Sequence, residues 1–323
     1  MVNRTAVAHP NIALVKYWGK ADLERNLPAV GSLSITLDGL STRTRVEVID
    51  DGDEDRFFLD GAPASEGRTQ RVRAAMELIR SVRPDLPSLV VTSDNSFPTA
   101  AGLASSASGF AALVTAVNGL LDDGLDAGEL ADIARRCSGS APRSLYGGFV
   151  ELILDGSTTR VEPMLPPDEW PLEVVIAVTS RAAKTVGSTE GMERTRTSSP
   201  YYSDWVSGSS ADLAAARSAV AERDFAALAA VSERSCLKMH AVAMAAQPGL
   251  VYWNGTTVDC LHRVRELRAA GVPVFFTIDA GPQLKAICGP GRSDEVAASM
   301  AEIPGVVDVL RCGLGAGARV VET

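Results

Sequence analysis

Alternation of hydrophobic and polar side chains predicts several strands along the chain. Residues 43–49 alternate polar and apolar positions, which is typical of a strand with one buried face. Residues 172–179 are nearly all apolar, as expected for a strand that is buried on both faces. The same patterns predict further strands at residues 4–18, 42–50, 89–92, 149–154, 272–278, 284–288, 306–310 and 318–321.

Apolar residues that recur every three or four positions predict the helices. Residues 69–82 and 127–137 each carry one apolar stripe, and a turn rich in glycine and serine leads into an apolar helix within residues 101–121. The chain is rich in alanine after residue 180, where residues 203–246 predict two or three helices and residues 257–270 another. Because strands and helices do not alternate regularly, we expect an α+β fold rather than a doubly wound one.

Length and charge narrow the class of protein. The 323 residues suffice for two lobes, which we place at residues 1–180 and 181–323. A net charge of −9 argues against nonspecific binding of nucleic acid or of an anionic membrane surface. The five cysteines are scattered, and no apolar run approaches the roughly 18 residues of a membrane span. We therefore expect a cytoplasmic protein with reduced thiols and no membrane or nucleic-acid partner.

Two segments carry side chains suited to anions. Residues 11–20 (NIALVKYWGK) place Lys16 and Lys20 beside two aromatic residues, and ammonium groups near apolar residues suit phosphate. Residues 97–109 (FPTAAGLASSASG) form a turn of small residues before an apolar helix, whose N-terminus would favour an anion. This second segment is not a Walker A loop, and a simple capped helix entry remains open.

Three later segments each allow a functional and a structural interpretation. Arg143, within residues 138–148, could hold a carboxylate or phosphate through its planar fork, or could cap the preceding helix. Asp279, at the end of an apolar strand, could act as a base or form an Asx turn. Residues 184–192 could hold a second anion or form a polar loop, and His240 fits a hydrogen-bonded core position.

Six segments taken together resemble the mevalonate diphosphate decarboxylases of the GHMP kinase superfamily. They are residues 11–20, 32–37 (SLSITL), 97–109, 138–148, 187–192 (GSTEGM) and 279–282 (DAGP), in the order that the family has them. The resemblance implies a two-lobed GHMP-kinase-like fold with the active cleft between the lobes, a homodimer, and a place in the mevalonate pathway of isoprenoid biosynthesis. It also implies ATP-dependent decarboxylation of mevalonate 5-diphosphate to isopentenyl diphosphate, through phosphorylation of the 3-hydroxyl.

The resemblance also implies roles for individual residues. Asp279 would orient or deprotonate the 3-hydroxyl, and Arg143 would hold the substrate carboxylate. Further substrate contacts would come from Tyr17, Lys20, Ser140 and Ser188, and ATP contacts from Gly102, Ser105, Ser106, Ser108 and Lys184. Lys16 would lie in the cleft without a defined role. Mg²⁺ is expected with the nucleotide, but the sequence shows no carboxylate cage for it, so no protein ligands are assigned.

Three departures from the family pattern leave the substrate and the reaction open. Ala21, Gly31 and Pro142 stand where the family commonly has arginine, serine, and cysteine or serine. Fewer cations near the phosphate end of the substrate would suit mevalonate 5-phosphate instead of the diphosphate. The sequence also permits a kinase that stops at the phosphorylated alcohol, and a binding protein without catalysis.

Overall fold

The computed structural model describes residues 2–49, 54–97 and 105–322, and within them sixteen strands, eight α-helices and one 3₁₀ helix. The strands are β1 Asn3–Ala8, β2 Asn11–Val15, β3 Lys20–Asp22, β4 Leu27–Pro28, β5 Ser32–Thr36, β6 Thr42–Val48, β7 Arg56–Leu59, β8 Ala62–Pro63, β9 Leu89–Asn95, β10 Phe149–Asp155, β11 Thr158–Leu165, β12 Glu173–Val178, β13 Val274–Ile278, β14 Leu284–Cys288, β15 Asp308–Cys312 and β16 Arg319–Val321. The α-helices are α1 Glu66–Val82, α2 Ser105–Asn118, α3 Ala127–Cys137, α4 Ser188–Ser198, α5 Tyr202–Glu222, α6 Phe225–Met244, α7 Gly255–Ala269 and α8 Ser293–Ala301, and the 3₁₀ helix is Ala141–Leu145.

Three sheets of four or more strands organise these elements. The first sheet has the order β16-β1-β6-β9-β7-β8, and α2 packs on β1 and β6. The second has the order β11-β10-β5-β2 and packs against α5 and α6. The third has the order β13-β14-β12-β15 and is covered by α6, α7 and α8, while β3 and β4 form a separate hairpin. The expected α+β class is confirmed.

The chain crosses from the first sheet to the second at Pro10. The pattern predicted one strand over residues 4–18, but the structure has two, because β1 pairs with β6 and β16 whereas β2 pairs with β5. Proline has no N–H group to donate, and it fits a break between two ladders. This break sends β2 towards the site described below.

The expected lobe boundary after residue 180 does not coincide with the strand pairing. β12 precedes it in the sequence, yet pairs with β14 and β15 of the third sheet. At the other end of the chain β16 returns to pair with β1. The two-lobe division stays a prediction, whereas the pairing assigns β12 to the third sheet and β16 to the first.

Hydrogen bonds between distant segments fix the position of β2. The backbone N–H of Lys16 donates to Ser235 Oγ in α6 at 2.9 Å, and Thr277 Oγ1 in β13 donates to the carbonyl of Ala13 at 3.1 Å. Asn11 Nδ2 donates to Ser144 Oγ in the 3₁₀ helix at 2.7 Å. β2 and the residue that follows it are thereby held beside α6, β13 and the 3₁₀ helix at once.

Candidate active site

All five segments singled out in the sequence contribute to one cavity of about 160 Å³. It is lined by Asn11, Ala13, Lys16, Tyr17, Trp18, Ser106, Ser140, Arg143, Lys184, Ser188, Met239, Asp279 and Ala280. Most of these side chains are polar or charged. Asp279 is the one carboxylate among the described residues of this lining, and it shares the cavity with three lysine or arginine side chains.

The carboxylate of Asp279 lies between two buried lysines. Lys16 Nζ donates to Asp279 Oδ1 at 2.6 Å, and Lys285 Nζ lies 3.2 Å from Oδ2. Both lysine side chains are at most 2% exposed, while that of Asp279 is 30% exposed. Burial alone would raise the pKa of Asp279, but Lys16 and Lys285 more than offset it, so its pKa lies below the ordinary range. Asp279 is therefore a carboxylate that accepts hydrogen bonds but is only weakly basic.

This arrangement argues against the Asx turn considered for Asp279. An Asx turn would use the side chain to hold the local backbone, whereas here both carboxylate oxygens face ammonium groups. It also gives Lys16 a role that the sequence did not supply. Lys285 was missed altogether, although its place in a strand that directly follows the Asp279 turn is visible in the sequence.

Arg143 and Tyr17 place unpaired donors at the cavity. Arg143 is 2% exposed, and its Nη1 donates to Ser32 Oγ at 2.5 Å, so it does not cap the preceding helix α3. Its Nε and the Tyr17 hydroxyl are buried and have no hydrogen-bond partner among the residues that the structure describes. The guanidinium carbon lies 6.0 Å from the centre of the Tyr17 ring. Because buried donors normally have partners, this pair suits an anionic ligand.

Burial sets the protonation of these two side chains. It lowers the pKa of Arg143 to about 10, with Tyr17 and Asp279 opposing the change, so the guanidinium stays charged at neutral pH. Burial likewise raises the pKa of Tyr17 to about 12, although Arg143 and Arg135 oppose it. The tyrosine is thus a neutral hydroxyl donor beside a fixed cation, a combination that can bind a carboxylate.

Lys184, Ser188 and Ser140 are further polar residues of the cavity lining that were considered in the sequence. Lys184 Nζ donates to Ser188 Oγ at 2.8 Å and to the carbonyl of Ala280 at 3.3 Å, which links this segment to the Asp279 turn. Ser188 is the first residue of α4, so the polar loop considered for residues 184–192 is in fact a helix entry. The carbonyl of Ser140 accepts a hydrogen bond from Asn11 at 3.0 Å.

Lys20 lies apart from this lining but has a cationic neighbour. It is 9% exposed, and its Nζ donates to Thr189 Oγ1 at 3.3 Å. Burial lowers the pKa of Lys20, and nearby Arg71 acts in the same direction, while Glu193 opposes both. Arg71 is an exposed residue of α1 whose guanidinium lies 5.0 Å from the Phe110 ring centre. Two neighbouring cations favour an anion between them.

A second cavity of about 260 Å³ adjoins the first at Ser106, which lines both. Its walls are largely apolar, with Phe57, Val91 and Phe110 among them, and Ser105, Arg68 and Arg71 also line it. An apolar pocket with a few polar groups suits a flat heterocycle.

The structure buries Ser108, one of the expected nucleotide contacts. Ser108 is fully buried, and its hydroxyl lies 2.7 Å from Thr42 Oγ1 and donates to the carbonyl of Ser105 at 3.4 Å. Ser108 lies on the buried side of α2 and lines neither cavity, although its partner Thr42 lines the second one, so its contact with a nucleotide stays a prediction. Gly102 lies outside the described residues.

Other expectations concern metals, thiols and His240. Within residues 2–49, 54–97 and 105–322, no group of three or more His, Cys, Asp and Glu side chains could hold a metal ion. All five cysteines are free thiols, as expected. His240 is buried with Nε2 3.1 Å from the carbonyl of Ile278, which confirms the expected hydrogen-bonded core position, and burial lowers its pKa to about 3. Among the described helices, none is long and apolar enough to cross a membrane.

Known proteins resemble this chain over nearly its full length. Residues 8–160 match a model of the diphosphomevalonate decarboxylase-like N-terminal domain, and residues 174–304 match one of the mevalonate 5-diphosphate decarboxylase C-terminal domain. A diphosphomevalonate decarboxylase of Candida albicans is 35% identical over 92% of this chain and 87% of its own length.

Solved structures share the fold. Mevalonate diphosphate decarboxylase from Staphylococcus aureus is 34% identical with a TM-score of 0.92, covering 99% of this chain and 98% of its own. MDDEF in complex with MVAPP, AMPPCP and magnesium is 36% identical with a TM-score of 0.91, covering 100% of this chain and 99% of its own. These matches confirm the expected GHMP-kinase-like architecture. With the polar cavity around Asp279 and Arg143, they show that the chain belongs to the diphosphomevalonate decarboxylase family.

Proposed function

We propose that this chain catalyses the ATP-dependent decarboxylation of mevalonate 5-diphosphate to isopentenyl diphosphate, with release of ADP, phosphate and CO₂. The observation that carries the proposal is the shared cavity, in which Asp279 and Arg143 lie together beside Ser106 and a second, apolar cavity. The similarity to MDDEF, a protein solved with MVAPP, AMPPCP and magnesium, supports a phosphorylated mevalonate and a nucleotide as ligands.

Asp279 would act on the 3-hydroxyl of the substrate. Each oxygen of a carboxylate accepts more than one hydrogen bond, so a site remains for a hydroxyl after each oxygen has bound one lysine. Because the pKa of Asp279 lies below the ordinary range, the proton passes to Asp279 as the new O–P bond forms rather than before it. Orientation of a hindered tertiary alcohol is then the main contribution of this residue.

Arg143 and Tyr17 would hold the substrate carboxylate during the second step. As the 3-phosphate leaves with the electron pair of the C–O bond, the pair of the bond to the carboxyl carbon becomes the new C=C bond, and CO₂ departs. A planar guanidinium holds a carboxylate in a fixed direction better than an ammonium does. The free Nε of Arg143 and the free Tyr17 hydroxyl are the donors that would serve.

The phosphate end of the substrate would lie towards Lys20, with Ser140 and Ser188 contributing. Arg71, which lines the second cavity and acts electrostatically on Lys20, adds a cation that the sequence did not reveal, and this supports the diphosphate despite Ala21. Ser105, Ser106 and Lys184 would contact the nucleotide. Mg²⁺, when bound, would neutralise charge on the phosphates, and phosphates and water would supply most of its ligands.

The decisive experiment measures both products from one substrate. Purified protein with ATP, Mg²⁺ and mevalonate 5-diphosphate should release ADP and CO₂ in equal amounts, and mevalonate 5-phosphate should give a lower kcat/KM. Release of ADP without CO₂ would indicate a kinase. Binding without release of either product would refute the proposal.

Assembly and compartment remain predictions. We expect a homodimer in the cytoplasm. The scattered free thiols support the cytoplasmic location. Light scattering after size-exclusion chromatography should give twice the 33.9 kDa mass of the chain, and a monomeric mass would count against the dimer.

A further inference from the structure

Lys285 contacts the catalytic carboxylate although it does not line the cavity. It lies in β14, directly after the turn that carries Asp279, and the strand register pairs it with Thr277 of β13. Thr277 and Asp279 are two residues apart and therefore point to the same face of the sheet. A lysine opposite Thr277 is diagonal to Asp279 and within reach of it. The hairpin of β13 and β14 thus places Lys285 Nζ 3.2 Å from Asp279 Oδ2.

The surroundings of Asp279 contain no second described carboxylate that could pair with Lys285. The groups that face Asp279 are Lys16 after β2, Lys285 in β14, Lys184 before α4, Arg143 in the 3₁₀ helix, and Cys236 and His240 in α6. Burial raises the pKa of Cys236 and lowers that of His240 to about 3, so both are neutral near pH 7. A buried lysine without an anion would be costly, and Asp279 is the anion that Lys285 has.

The two lysines hold different oxygens of the same group. Lys16 fixes Oδ1 at 2.6 Å, and Lys285 fixes Oδ2 at 3.2 Å. One contact alone would leave the carboxylate free to rotate about its terminal bond, since that torsion has a broad minimum. Two contacts, one from the residue after β2 and one from β14, set the plane of the carboxylate and so the direction in which it can accept a hydroxyl proton.

We infer that Lys285 is a positioning residue, which acts with Lys16 to hold the Asp279 carboxylate in the plane and the charged state that the phosphorylation step requires. This inference rests on the proposed function, in which Asp279 receives the proton of the 3-hydroxyl. Lys285 need not touch the substrate, and it acts through Asp279.

The test compares Lys285→Met with the wild-type protein in the ADP and CO₂ assay over a range of pH. Methionine has similar length and no charge. We expect kcat to fall about 10- to 100-fold, as for loss of outer groups that orient a catalytic one, while KM for ATP changes little. Loss of a neighbouring ammonium raises the pKa of Asp279. The active form is the carboxylate, so the acidic limb of kcat/KM should move to higher pH.

Lys285→Arg and a double variant separate positioning from general stability. Lys285→Arg keeps the charge and should return the acidic limb towards its wild-type position. In an Asp279→Asn background, Lys285→Met should cost little further activity, because the group through which it acts is gone. An equal cost in both backgrounds would overturn the inference, as would an unchanged kcat and acidic limb in Lys285→Met.

Lys238→Met is the matched control. Lys238 also pairs with a buried carboxylate, Asp212, at 2.7 Å, but it lies outside the cavity. Its replacement should leave kcat and the pH profile unchanged, and a shift equal to that of Lys285→Met would overturn the inference. If Lys285→Met fails to fold, Lys285→Gln, which keeps a donor but no charge, takes its place with the same expected outcomes. Absence of turnover in the wild-type protein would instead refute the proposed function.

Discussion

Replacing Asp279 with asparagine removes one negative charge from between two ammonium groups and leaves the shape of the side chain nearly unchanged. Turnover should fall by about 10² to 10⁴, the range for a positioned proton-transfer group. That factor corresponds to roughly 3 to 5 kcal/mol of activation free energy. Nucleotide affinity should change little, because in the proposed function Asp279 would face the substrate hydroxyl and the nucleotide contacts would come from other segments.

The same substitution should also destabilise the fold. Lys16 and Lys285 would lose their counter-charge while remaining at most 2% exposed. Breaking a buried pair by removing one partner costs about 3 to 5 kcal/mol. Asp279 is 30% exposed, so solvent screening reduces this, and we expect about 1 to 3 kcal/mol in the free energy of unfolding.

Asp212→Asn separates the two effects. Asp212 also binds two cations, Arg234 at 2.8 Å and Lys238 at 2.7 Å, yet it lies outside the cavity. Denaturant titration should show destabilisation of both variants, and steady-state assays should show a loss of turnover in Asp279→Asn alone. Near-wild-type turnover in Asp279→Asn, or an equal loss in Asp212→Asn, would refute the assigned role of Asp279.

Two further substitutions test the anion contacts. Arg143→Lys should lower kcat/KM about 10- to 100-fold, because one charged hydrogen bond is worth roughly 1.5 to 3 kcal/mol. An ammonium lacks the planar fork that lets Arg143 bind Ser32 Oγ and a carboxylate at the same time. An unchanged kcat/KM would contradict the carboxylate contact. Arg71→Met should raise KM for mevalonate 5-diphosphate about tenfold with a smaller change in kcat, since one charged contact is lost, and equal KM values for variant and wild type would place the phosphate end elsewhere.

Strong periodic patterns allowed much of the fold to be predicted from the sequence. α3 and β14 have the predicted bounds, because each is a clear stripe or apolar run between turn residues. α4 was missed because its sequence is polar, and α8 because nine residues are too few to show a clear apolar stripe. The pattern also could not show that β12 pairs with β14 and β15 rather than with the strands before it. Pairing between strands far apart in the sequence leaves no local signal.

The site was predictable where a segment has a distinctive composition. Asp279, Arg143, Tyr17, Ser140 and Ser188 meet at one cavity, as the resemblance implied. The burial of Ser108 was not predicted, because α2 is rich in small residues on all sides and the sequence did not show which of its serines faces the core. Lys285 and Arg71 were missed for another reason. Lys285 lies in an apolar strand after a turn, and Arg71 lies on the polar side of α1. Only tertiary contacts bring them to the site.

The most direct test of the account is the ratio of CO₂ to ADP in a single turnover. With enzyme in excess over mevalonate 5-diphosphate labelled at the carboxyl carbon, the account predicts one CO₂ for each ADP, because Asp279 and Arg143 act on one bound molecule. A full equivalent of ADP with no labelled CO₂ would contradict it, since the cavity would then phosphorylate the substrate without breaking its carboxyl bond.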